Sequence, residues 1–147
     1  MNIHRFKLTI NNLRYICQEL YKIVVSDKEY EIVVRDWSEK RTLSANAQQW
    51  VWYKQISNHY GSETKQVARE CKLDFGLPIV LRNPKYGPVI DYTLNNIGFH
   101  SMMREDQIKV IDIVQITSLF NTKEHNEYRE NLQDYYGQIG VNLEYRD

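Results

Sequence analysis

Between positions 35 and 54 the chain interleaves cations with aromatic planes: Arg35, Trp37, Lys40, Arg41, Trp50, Trp52, Tyr53 and Lys54, with Arg82, Lys85 and Tyr86 further on. Cations meet phosphates and aromatic faces stack unpaired bases, the two things a single strand of nucleic acid asks of a protein surface. The bland reading competes directly, since an aromatic helix is more often core than platform. A second chemistry is open nearby. Asp36 and Glu39 can join Asp74, Glu105 or Asp106 in a magnesium-dependent nuclease cluster, because two-metal phosphodiester cleavage needs several convergent carboxylates. Against it, charged residues at strand ends and in turns are normally solvated.

Other chemistries find less to work with. Cys17 and Cys71 have no CxxC companion and no GxSxG elbow exists, so both cysteines read as reduced core residues on helix faces. His4, His59, His100 and His125 form no HExxH or HxH pair, so no metal is expected. Neither a GxxxxGK[ST] nor a GxGxxG loop is present to cradle a nucleotide phosphate. No cofactor and no enzymatic step are expected.

The elements that must position these residues read as a mixture. Alternation over 4–10 suits a strand, a helix follows over about 12–24, and the aromatic and β-branched run at 30–37 suits a second strand. A helix spans 43–60 and another starts at 64, with Val67, Cys71 and Phe75 on one side until Gly76, Leu77 and Pro78 stop it. Residues 79–83 read as a short strand, 84–88 and 95–98 as turns, and about 104–112 as a helix. Asn121 and Glu124 stand at capping-box spacing before a last helix whose stripe is Tyr128, Leu132, Tyr135 and Ile139, ended by Gly140. The expected fold is α+β, a small mixed sheet with four or five helices.

The helix at 43–60 reads as two-sided. At 100° per residue Leu43, Ala47, Trp50 and Val51 fall on one side, and Trp52, Ile56 and Tyr60 nearly opposite, with Tyr53 beside them. Opposed apolar faces need two packing partners, an inner layer or a second protomer. Trp50, Trp52 and Ile56 are therefore expected to serve architecture or a dimer contact.

The 147 residues suit one domain, 1–147, with 42% hydrophobic and 26% charged residues in the globular range. Without a signal-peptide core or a run of about 18 apolar residues, the chain reads as cytosolic. Net charge is zero but uneven: residues 1–90 carry 14 Lys/Arg against 9 Asp/Glu, and residues 91–147 carry 5 against 10. A basic face and an acidic one are expected.

The segment RTLSAN at 41–46, followed by Trp50, resembles the R-[ST]-L-x-x-N-x-x-x-W segment of the bacteriophage recombination protein family NinB, also called Orf. Thr117, Ser118, Glu124, Glu127, Leu132, Tyr135, Gly140 and Val141 fit the spacing of that family's Thr-Ser, its C-terminal helix and its closing Gly-Val. The resemblance implies a non-enzymatic recombination mediator working as an intertwined homodimer in the cytoplasm of a bacterial host. Its implied partners are single-stranded DNA and the host single-strand-binding protein, and its task is to help load a recombinase or annealing protein. The DNA-binding set expected on these combined grounds is Arg35, Lys40, Arg41, Asn46, Lys54, Arg82, Lys85 and Tyr86. A protein–protein adaptor of a phage recombination or replication complex is the remaining alternative to the nuclease.

Overall fold

A computed structural model describes residues 6–25, 28–35 and 44–145. Among these residues the fold is helical and holds no sheet, which overturns the expected α+β class and its mixed sheet. Helix α1 is Leu13–Val24, α2 Ala45–Tyr60, α3 Thr64–Cys71, α4 Leu77–Leu81, α5 Gly87–Asn96, α6 Arg104–Val114 and α7 Thr122–Gln138. A π-helical turn, Lys72–Gly76, joins α3 to α4, and 3-10 turns lie at Phe99–Ser101 and Ile116–Leu119.

None of the three expected strands forms among the described residues, residues 4–5 and 36–37 of the first two lying outside them. Residues 30–35 take no regular structure, Ile32, Val33 and Val34 stay exposed, and no ladder forms among the described residues. β-Propensity reports how well a side chain fits a pleated, half-buried surface, and Ile32, Val33 and Val34 are not half-buried here. Residues 6–9 are irregular, pinned by Asn12, whose Nδ2 donates to Lys7 O (2.7 Å) and whose Oδ1 accepts from Thr9 N (2.8 Å). Ile79 and Val80 are buried, but in α4. A short apolar run in the core looks the same in either conformation.

Gly76, Leu77 and Pro78 do not stop the helix. The π turn shifts the hydrogen-bond register by one residue, and Pro78, which has no N–H to donate, sits in the first turn of α4 where none is needed. Gly76 serves packing: a Cβ there would lie 3.0 Å from Ile116 Cγ2 and 3.6 Å from the Tyr128 ring.

Helix α2 begins at Ser44, whose hydroxyl accepts from Ala47 N, and ends at Gly61 in the left-handed region (φ 69°). It folds back on α3, with Ser57 Oγ 3.0 Å from Thr64 Oγ1 across the turn. Its buried face is Gln48, Gln49, Trp52, Tyr53, Ile56 and Ser57. Trp50 and Tyr60 remain exposed and Ala47 and Val51 half-buried, so only one of the two expected stripes is core. Trp52 Nε1 donates to Glu144 O (2.7 Å), and the Tyr53 and Tyr128 hydroxyls meet at 2.7 Å.

Helix α7 carries the expected capping box, Asn121 with Glu124. Its core face is Tyr128, Arg129, Leu132, Gln133 and Tyr136 rather than the stripe through Tyr135 and Ile139, which are exposed. The segment after it, 141–145, has no regular structure and lies against α2 and α7 with Val141 and Leu143 buried. Its carbonyls accept from side chains: Gln133 Nε2 to Leu143 O (2.8 Å) and Gln48 Nε2 to Glu144 O (3.2 Å).

Trp52→Ala is expected to cost about 3–5 kcal/mol, the usual loss for a large buried aromatic, read from urea unfolding. Burial pushes the Cys71 thiol up from 9.0 to about 12 and also raises the Tyr53 and Tyr128 phenols. The folded chain then keeps protons that the unfolded chain releases, so stability is fully present below pH 9 and falls as pH rises toward 12. Urea midpoints on either side of pH 9 check this. Cys17 is exposed, against expectation, and Cys71 is buried, so a thiol reagent is expected to modify Cys17 in the native protein and Cys71 only after unfolding.

Candidate nucleic-acid interface

The expected DNA-binding residues do not converge. Lys40 and Arg41, with Trp37, Asp36 and Glu39, lie outside the described residues. Arg35 is exposed, outside any helix. Asn46 and Lys54 are exposed on α2, one turn either side of Trp50, so the three share a solvent-facing line. Trp52 and Ile56 are buried.

Residues 82–86 form a joint between elements. Arg82 Nη2 donates to Glu127 Oε1 and its Nε to Pro78 O, while Asn83 Nδ2 donates to Glu124 Oε1 (2.7 Å). Asn83 Oδ1 accepts from the backbone N–H of Lys85 (2.8 Å) and of Tyr86 (3.1 Å). Lys85 Nζ lies 5.0 Å over the half-buried Tyr86 ring. This network ties the end of α4 to the start of α7. It also gives Glu124 and Glu127 structural work: one closes the cap, the other takes Arg82. Ser118 Oγ likewise donates to its own turn, at Gln115 O.

A different set is brought together. Trp50 of α2, Lys65, Ala68 and Arg69 of α3, Lys72 of the π turn and Asp112 of α6 line one cleft of about 260 Å³. Lys65, Arg69 and Lys72 stand at helical spacing, turned away from the buried Val67 and Cys71. Trp50 is 40% exposed, and its ring meets Tyr53 edge-to-face at 5.5 Å and 86°. Because Tyr53 is buried and hydrogen-bonded to Tyr128, the indole rests on a fixed support.

Three cations face one carboxylate in this cleft, and Arg69 Nη2 lies 3.4 Å from Asp112 Oδ2. Burial lowers the Lys72 pKa; Asp112 works against that shift and Arg69 adds to it. An ammonium that has lost hydration gains more from an arriving anion than a fully solvated one does. Sequence reasoning missed Lys65, Arg69 and Lys72 because it followed the apolar side of α3. The signal was their i, i+4, i+7 spacing opposite that side.

The nuclease carboxylates are not gathered among the described residues. Asp74 is held by both Arg104 guanidinium nitrogens (2.8 and 2.7 Å), Asp106 lies 3.3 Å from Lys109, and no group of three or more metal-ligating side chains occurs. No helix among the described residues is long and apolar enough to cross a membrane. No protein-family model, curated protein or solved structure matches this chain, so the likeness to NinB rests on the residues that carry it.

Proposed function

We propose that the chain binds single-stranded DNA at the Trp50 cleft and acts, without an enzymatic step, as a phage-type recombination mediator. The observation that carries the binding is a braced, part-exposed indole beside three cations. In this reading a base stacks on Trp50 while adjoining phosphates meet Lys65, Lys72 and Arg69, and Lys54 extends the track along α2. Duplex DNA keeps its bases stacked and cannot use the indole. The mediator role and its partners, a second copy of the chain and the host single-strand-binding protein, follow the resemblance to NinB. With few cations per cleft, binding is modest and sensitive to salt.

Fluorescence anisotropy of labelled single- and double-stranded oligonucleotides across a salt series tests the reading. Trp50→Ala is expected to weaken single-strand binding roughly 5- to 150-fold, the loss of about 1–3 kcal/mol from one stacked base. Lys65→Ala and Lys72→Ala are each expected to flatten the log–log salt slope by about 0.7. Binding that is insensitive to salt, or unchanged by Trp50→Ala with the helical circular dichroism intact, sinks the proposal.

A further inference from the structure

We propose that Asp112 is an electrostatic gate on the Trp50 cleft: it holds Arg69 in the free protein and competes with an entering phosphate diester for that guanidinium. The inference rests on the cleft being the strand-binding site and adds a regulatory residue to it.

Two observations carry it. The first is the quality of the pair. Arg69 meets Asp112 through one nitrogen and one oxygen at 3.4 Å, with the side chains 38% and 47% exposed. Arg104 and Asp74, by contrast, make a bidentate pair at 2.8 and 2.7 Å. A long, single-point, half-solvated pair contributes little and exchanges readily. A phosphate diester presents two non-bridging oxygens, sharing one negative charge, to a site that already contains Lys65 and Lys72.

The second is the position of Asp112. It stands in the last turn of α6, Arg104–Val114, where the negative end of the helix dipole disfavours a carboxylate. Aspartate is also a weak helix former. Helix stability therefore gives no reason for an acid there, whereas the cleft does. Once a strand is bound, the carboxylate remains as a like charge beside the phosphate, keeping the complex weak and reversible. That suits a protein that delivers a strand to others.

The test is a double-mutant cycle on the full chain, using anisotropy of a labelled oligothymidylate over a salt series. Asp112→Asn is expected to tighten binding roughly two- to tenfold, to steepen the salt slope by about 0.7 as Arg69 becomes available, and to leave thermal stability unchanged or raised. In an Arg69→Ala background the same change is expected to give a clearly smaller gain, that of removing one like charge from beside the phosphate, and no steepening of the salt slope, and Asp112→Glu is expected to behave as the parent. Unchanged or weaker binding by Asp112→Asn overturns the gate. So does an equal gain in the Arg69→Ala background, which makes Asp112 a diffuse repulsive charge. Failure of the cleft reading registers separately, as Trp50→Ala binding like the parent, and absence of binding by every variant overturns both.

Discussion

The contact on which the rest of this structure depends is the burial of one α2 face against the C-terminal segment, with the Trp52 indole N–H on Glu144 O. A buried indole must find an acceptor for its single donor, since an unpaired one costs about 1–3 kcal/mol. The acceptor is a main-chain carbonyl of 141–145, and placing that carbonyl fixes the segment. Val141 and Leu143 then turn inward, and Gln48 and Gln133 take further acceptors. A segment without regular structure is held in place because side chains supply donors to its carbonyls.

The same face sets up the cleft. Tyr53 adjoins Trp52 and shares a 2.7 Å hydroxyl contact with Tyr128 of α7, so it cannot shift without disturbing two helices. Trp50 stands edge-on to Tyr53 and inherits that rigidity. The Trp50 indole is part-exposed, yet its orientation is decided against the core. On the opposite wall the π turn carries Lys72 into the cleft while Gly76 lets the Ile116 and Tyr128 side chains approach. An inserted residue in a helix commonly marks a place where function has been accommodated, and here it reconciles a cation outside with close packing inside.

Charge is distributed by commitment rather than by count. Net charge is zero, and most arginines in ion pairs serve joints: Arg82 ties α4 to α7 through Glu127, and Arg104 ties α6 to the π turn through Asp74. Arg69 differs in being loosely held beside two lysines and an indole. Exposed pairs contribute little to stability, so geometry and surroundings say more about role than pairing does.

The sequence by itself determined the elements governed by local rules. The capping box of Asn121 and Glu124 and the turns at Gly61 and Gly98 follow from side-chain hydrogen bonds and from backbone conformations only glycine adopts easily. The family likeness at 41–50 placed Trp50 among residues of interest but assigned it to architecture. What only the tertiary structure decided was every question of partnership. Whether 30–35 joins a sheet depends on a neighbouring strand, and whether Ile79 and Val80 form helix or strand depends on what surrounds them. The cleft depends on three helices meeting: Trp50, Lys65, Arg69, Lys72 and Asp112 span more than sixty positions, and no local spacing brings Asp112 to Arg69. Arg82 and Arg69 look alike in sequence. Packing commits one to Glu127 and leaves the other at the edge of a cleft, because burial and the nearest carboxylate are properties of the fold and not of the residue.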